Sequence, residues 1–241
     1  MSTVKPYKDD ASAKKEQVAK MFDNISARYD FLNHLLSFGI DKGWRKKVVR
    51  FASVSKPQRI LDIATGTGDL ALALSSTGAK EIIGLDISKG MLEVGRQKVI
   101  KAKLAQKIDL QYGDSENIPF DSNSFDLVTA AFGVRNFENL DKGLTEMQRV
   151  LKPGGKLIVL EFSQPEKAPF KQVFGFYSKR ILPTIGKIVS KDQSAYSYLP
   201  ESVDAFPYGS AFLSRLQDCG FKNSQAEQLT FGVASMYTAE K

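Results

Sequence analysis

Three carboxylates stand at the ends of three apolar runs: Asp62 in "RILDIA", Asp86 in "EIIGLDI" and Asp114 in "IDLQYGDS". Between the first two lies "ATGTGD" (64–69), whose Gly66 and Gly68 permit a sharp turn and let the backbone approach a ligand with no Cβ in the way. Gly66-Thr67-Gly68-Asp69-Leu70-Ala71 fits the fingerprint of a dinucleotide-binding turn in its Gly/Ala-terminated form. Asp86 follows Gly66 by 20 positions, the spacing at which an acid accepts both hydroxyls of an adenosine ribose. These features serve a nicotinamide dinucleotide and S-adenosylmethionine equally, and charge separates the two. A pyrophosphate beside Asp69 is repelled unless a cation intervenes, whereas a sulfonium and an ammonium are attracted by Asp62 and Asp69. Asp114 and its neighbour Ser115 add a pair able to meet an adenine amino group. Each acid alone reads as a helix cap or turn residue. The three together, with Gly66, Thr67 and Gly68 as the loop, read as an S-adenosylmethionine site.

The elements that must hold these residues follow from the hydrophobic pattern. From 11 to 52 the apolar spacing is helical, with Val18, Met21, Phe22 and Ile25 on one stripe. We read residues 1–52 as an N-terminal helical cap whose first ten residues are disordered, ended by the break "SVSKPQ" (53–58). Residues 59–162 then alternate strands with helices starting near 69, 88 and 139, which predicts an α/β fold. The expected architecture is a mostly parallel seven-stranded sheet with helices on both faces. Segments 221–229 and 231–238 form its antiparallel closing pair. Within this 53–241 unit, residues 163–212 are aromatic-rich and broken by five prolines, and read as a lid-like insertion and as core filling.

Composition bounds the function. A chain of 241 residues, 42% hydrophobic and 25% charged, suits one large globular domain. The single Cys219 excludes an internal disulfide and, with the polar start, points to the cytoplasm. No apolar run approaches the roughly 20 residues that span a bilayer. The net charge of +7 lies entirely within residues 1–60, which hold 13 Lys/Arg against 6 Asp/Glu, most densely in "WRKKVVR" (44–50). Such a patch suits phosphates of nucleic acid or anionic lipid, or is a solvated helix face.

The chain resembles the class I methyltransferases, Rossmann-like enzymes that use S-adenosylmethionine. Within them it resembles the C-methyltransferases of menaquinone and ubiquinone biosynthesis. "YDFLNHLLSFGIDKGW" (29–44) and "RVLKPGGKLIVLEFS" (149–163) match that family's two signatures, with "ATGTGD" and "FGVRNF" (132–137) between them. "ILPTIGKIVSKDQSAYSYLPESV" (181–203) shares the family's character. There are departures: the family usually has histidine where Asp41 stands, many members have serine at Ala131, and Ala64 replaces the first glycine of the broader loop. His34, the only histidine, falls at a position that varies in the family and reads as a surface or packing residue.

The resemblance implies transfer of a methyl to a ring carbon of a polyprenylated quinol, foremost demethylmenaquinol to menaquinol. The ubiquinone precursor 2-methoxy-6-polyprenyl-1,4-benzoquinol is the alternative substrate. A sulfonium is already a good leaving group, so no metal is expected. Alignment of carbon, methyl and sulfur supplies roughly 7–11 kcal/mol, and a base acting on the phenolic proton about 10²–10⁴-fold. Arg135 and Asn136 follow the fourth strand at its carboxyl end, where such sheets place ligands, and are the catalytic candidates, with Tyr29 bordering the quinol. Arg135 stabilises a phenolate or polarises a water, or else forms a structural ion pair.

A partner follows from the prenyl tail: an anionic membrane surface on the inner face of the cell membrane. It would be met peripherally through Arg45, Lys46, Lys47 and Arg50 and through 170–191, where Phe170, Val173, Phe174, Tyr177, Ile181 and Ile185 alternate with Lys171, Lys179, Arg180, Lys187 and Lys191. A homodimer is left open. Two rival classes are weaker. An NAD-dependent oxidoreductase conflicts with the three acids, and an RNA methyltransferase lacks an RNA-binding module, so no nucleic-acid partner is expected.

Overall fold

Seven strands form a single sheet in the order β3-β2-β1-β4-β5-β7-β6 in a computed structural model that describes residues 4–176, 180 and 193–241. The strands are β1 (Arg59–Ile63), β2 (Glu81–Asp86), β3 (Ile108–Tyr112), β4 (Phe125–Ala131), β5 (Leu151–Phe162), β6 (Lys222–Leu229) and β7 (Ala234–Glu240). Neighbours among β1 to β5 pair in parallel, while β7 runs antiparallel to both β5 and β6. The expected closing pair is thus present, with β7 inserted between β5 and β6.

Helices α1 (Lys14–Leu36), α2 (Ile40–Val54), α3 (Asp69–Leu74), α4 (Lys89–Lys101), α5 (Leu140–Val150), α6 (Phe170–Phe176), α7 (Gln193–Ala205) and α8 (Ser210–Asp218) surround the sheet. Strands covered on both faces read as continuous apolar runs, as Ile60, Leu61 and Ile63 of β1 and Ile82, Ile83 and Leu85 of β2 do. On one face Trp44, Val48 and Ala52 of α2 and Leu92 and Val99 of α4 bury against Ile60, Ile82 and Leu127. On the other, Leu144 and Met147 of α5 and Phe212 and Leu216 of α8 pack on Leu61, Val128 and Leu157. The N-terminal helical segment is split at Phe38 and Gly39, both at positive φ, and α2 joins the same apolar cluster as the sheet. Of the aromatic-rich stretch, residues 177–179 and 181–192 lie outside the described residues, and with them Tyr177, Lys179, Ile181, Ile185, Lys187 and Lys191 of the expected interfacial segment.

Strand order reverses between β1 and β4, so the loops that leave their carboxyl ends diverge and open a crevice there. Helix starts beside the crevice are set by local caps: the Ser88 hydroxyl accepts from Met91 N at 3.2 Å and the Asn139 side chain from Lys142 N at 3.0 Å. Helix α4 reaches the glycine loop because Gly95 faces it. A Cβ there would lie 2.6 Å from Leu110 Cδ1 and 3.0 Å from the Thr67 carbonyl carbon. Gly95→Ala is therefore expected to destabilise the fold by about 1–3 kcal/mol, against a helix-propensity gain of about 1 kcal/mol. Urea denaturation showing an equal or higher midpoint would refute this close approach.

Candidate active site

Two cavities meet at this crevice. The first is a cleft lined by Gly66 and Asp86 from the ends of β1 and β2, Gly113, Asp114 and Ser115 after β3, and Lys15, Phe22 and Tyr29 of α1. Gly66 has φ +57°, and a Cβ on it would meet nothing within 4 Å, so the loop leaves open space at that point. Its N–H donates to Asp86 Oδ2 at 2.8 Å, and Ser88 N–H donates to Oδ1 at 2.8 Å. Each Asp86 oxygen keeps a second lone pair for a ligand hydroxyl. Burial, only partly offset by those donors, pushes the Asp86 carboxyl up to about 6.

Asp114 Oδ1 accepts from Glu116 N at 2.8 Å, and Oδ2 accepts from Lys15 Nζ at 3.0 Å. Gly66, Asp86, Asp114 and Ser115 are thus brought together on one wall of one cleft. The donor set fits S-adenosylmethionine: a carboxylate for the ribose, an acid and a hydroxyl at the far end, and a glycine-lined gap between.

The remaining predicted cofactor residues, Asp62, Thr67 and Gly68, do not line the cleft. Asp62 is 1% exposed, and its two oxygens accept from Thr65 Oγ1 at 2.7 Å and Thr129 Oγ1 at 2.6 Å. Burial pushes its carboxyl up to about 6. Thr67 Oγ1 donates to Asp30 of α1, and Gly68, at φ +77°, turns the chain into α3. Asp69 is ion-paired with Lys98, with His34 Nε2 and Arg45 Nη2 each 3.7 Å away. Asp62 and Asp69, expected to attract the ligand's positive groups, are thus already held by hydroxyls and by cations of the protein itself, respectively.

The second cavity is larger, about 480 Å³, and mostly apolar. Trp44, Phe132 and Phe162 cluster in its wall, with Phe132 and Phe162 ring centroids 4.6 Å apart. Phe22, Tyr29, Phe132 and Asn136 line both cavities, so a ligand in one meets a ligand in the other at these residues. Asn136 and Arg135 belong to a 3₁₀ turn, Val134–Asn136, that follows β4. Arg135 Nη1 donates to Glu161 Oε1 at 2.8 Å and also to the Phe132 carbonyl. Glu161, fully buried at the end of β5, is pushed up by desolvation and pulled back by Arg135. The turn is held from outside by Lys14 Nζ, which donates to the carbonyls of Phe137 (2.7 Å) and Arg135 (3.3 Å). Burial lowers the Lys14 ammonium to about 8. Burial also raises the Tyr29 phenol, so Tyr29 enters the site protonated.

Among the described residues, six buried side chains carry a polar atom without a hydrogen-bond partner. Four of them line this cavity: Arg45 (Nε), Arg135 (Nε), Asn136 (Oδ1) and Tyr198 (Oη). Buried polar groups are normally paired, so the concentration marks a place completed by a polar ligand. Glu161 and Tyr198 were not predicted. A lone acid inside the apolar run "KLIVLEF" was the available signal for Glu161; nothing local distinguishes Tyr198 from its aromatic neighbours.

A model of the ubiE/COQ5 methyltransferase family matches residues 10–241. The chain is 51% identical over 239 residues to a demethylmenaquinone methyltransferase of Bacteroides fragilis, covering 99% of this chain and 97% of that one. It is 47% identical over 230 residues to a ubiquinone/menaquinone biosynthesis C-methyltransferase UbiE of Geotalea daltonii, covering 95% and 97%. The crystal structure of the [4+2]-cyclase SpnF superposes with TM-score 0.69 at 17% identity, over 96% of this chain and 97% of that one, a likeness of fold alone.

The charge state of Asp86 yields a prediction. The ionised carboxylate is the stronger ribose acceptor, so S-adenosylmethionine affinity should fall as pH drops through about 6, where Asp86 takes up its proton. Calorimetry between about pH 5 and pH 7 should show this slope in the parent protein and a flat, weak profile in Asp86→Asn. An unchanged slope in the variant would remove Asp86 from the ligand's contacts.

Proposed function

Since the chain belongs to the ubiE/COQ5 methyltransferase family, we propose that it methylates a ring carbon of a polyprenylated quinol, foremost demethylmenaquinol, with S-adenosylmethionine as methyl donor. The observation that carries this reading is the junction. A cleft with acids suited to an adenosine shares Tyr29 and Asn136 with a larger, mostly apolar cavity suited to a prenylated ring. Bound there, the donor supplies a methyl group already attached to a positively charged leaving sulfur. The protein's residues align the ring and manage its proton. Asn136 Oδ1 accepts from the hydroxyl beside the reacting carbon. As that hydroxyl loses its proton to water, Arg135 holds the growing negative charge with the Nε–H that Glu161 leaves free. The arginine stays cationic throughout and is not itself a base. The ring proton leaves to solvent once the new carbon–carbon bond has formed.

The relation of Arg135 to Glu161 separates chemistry from folding. Arg135→Ala alone should cost about 3–5 kcal/mol, because it strands a buried carboxylate. Adding Glu161→Gln should restore much of that stability by urea titration without restoring turnover. Recovery of full activity in the double variant would make Arg135 purely structural. Asn136→Ala should lower kcat by about 10²-fold or more with cofactor affinity nearly unchanged. In cells lacking the protein, quinone profiling should reveal accumulated demethylmenaquinol. Accumulation of the methoxy-benzoquinol precursor instead would assign the chain to ubiquinone synthesis, and an unchanged profile would refute the quinol reading.

We further propose that the protein works peripherally on a membrane, through an apolar rim. No helix among the described residues is long and apolar enough to cross a bilayer. Of the basic cluster, Arg45 is committed to Asp41, and Lys47 to Glu227, which leaves Lys46 and Arg50 exposed. The mouth of the large cavity is edged by Phe38 (80% exposed), Phe231 (67%) and Val173 (63%), with the Phe231 ring stacked on Phe170 at 3.8 Å. Such a rim lets a tail pass from lipid to cavity without crossing water. Replacing Phe38 and Phe231 with Ser should weaken co-sedimentation with anionic vesicles more than Lys46→Glu does. The reverse order would return the contact to the basic patch.

A further inference from the structure

Of the four unpartnered polar groups in the apolar cavity, the chemistry above leaves Tyr198, on α7, and Arg45 unused, and Arg45 is already committed to Asp41. Tyr198 is 3% exposed, packs with Val18 and Met21 of α1, and its hydroxyl has no partner among the described residues. Its phenol feels the charges of both Arg135 and Glu161. Burial pushes the phenol up to about 12, and the group is a neutral O–H at every working pH. Position distinguishes it from Asn136. Asn136 lines both the cleft and the cavity, whereas Tyr198 lines the cavity alone. A buried hydroxyl without a partner is unfavourable, and within a ligand cavity the natural partner is a ligand oxygen.

We propose that the Tyr198 hydroxyl binds the second oxygen of a para-dihydroxy aromatic ring, the one remote from the carbon that receives the methyl. Asn136 takes the nearer oxygen. This rests on the quinol reading and deepens it: the site measures the number of ring oxygens as well as the presence of a nucleophilic carbon. A ring with a single hydroxyl, seated for reaction, leaves Tyr198 unpaired and is disfavoured for that reason.

The test is equilibrium binding of 1,4-dihydroxynaphthalene and 1-naphthol, under anaerobic reducing conditions, to protein saturated with S-adenosylhomocysteine. The parent protein should bind the diol about tenfold more tightly than the mono-ol. Tyr198→Phe should lower diol affinity by about that factor, leave mono-ol affinity within about twofold, and so abolish the preference. Because it removes only an unpartnered hydroxyl, the variant should also melt no lower than the parent without ligand. Equal weakening of both rings, a preference retained in the variant, or a lower melting temperature would each overturn the proposal. If neither ring binds the parent although S-adenosylhomocysteine does, the quinol reading itself fails and takes this proposal with it.

Discussion

A carboxylate buried at the end of a central strand must find a cation, and Glu161 finds Arg135. With Glu161 fully buried and the Arg135 side chain 7% exposed, the pair is closed to water, and one member without the other is strongly unfavourable. The constraint reaches beyond electrostatics. Arg135 lies in a turn of three residues, so fixing its guanidinium on β5 fixes the turn, and Asn136 with it, at the boundary of the two cavities. Lys14 clamps the same turn through two backbone carbonyls, which joins the start of α1 to the site. The ion pair and the proposed catalytic role are thus one arrangement: Glu161 takes Nη1 of the guanidinium and leaves Nε–H without a partner among the described residues.

Helix α1 is the roof over this arrangement, and it is tied down by polar contacts along its length. Lys15 meets Asp114 at 3.0 Å, and Asp23 accepts from Ser88 Oγ at 2.6 Å and from Gly90 N at 2.7 Å. Asp30 meets Thr67 and Lys98. Each tie fastens α1 to a loop at the carboxyl ends of β1 to β3 or to the helix that follows. One of them, Lys15 to Asp114, engages a group on the wall of the cofactor cleft itself. Of these ties, the more exposed Lys15–Asp114 pair contributes little stability.

The parallel core was legible in the sequence because its strands are buried on both faces and announce themselves as unbroken apolar runs. The convergence of Asp86, Asp114 and Ser115 on one cleft was legible for a similar reason: strand ends in such a sheet point to one edge. The fastenings of Asp62 and Asp69 were not, because their partners come from afar. Thr129 is 67 residues from Asp62, and Lys98 is 29 from Asp69. Periodicity places Thr129 on a strand and Lys98 on a helix but cannot show that their side chains satisfy these acids first. Tyr198 was hidden for the opposite reason. In a stretch crowded with aromatics, only the absence of a partner for its hydroxyl sets it apart, and absence is visible only in three dimensions.

The exchange at Asp41 has a structural account. His34 Nδ1 lies 2.9 Å from Asp41 Oδ2, Ser37 Oγ donates to Oδ1 at 2.6 Å, and Arg45 pairs with the same carboxylate. Burial pushes the Asp41 carboxyl up, and these neighbours more than offset it, holding the group below the usual carboxylate range. An acid so surrounded is an ionised fastening between α1 and α2 and has no proton to give or take near neutral pH. The carboxylate thereby ties α2, to which it belongs with Arg45, to His34 in the last turn of α1 and to Ser37 just beyond it, which holds the end of the roof against the helix that follows.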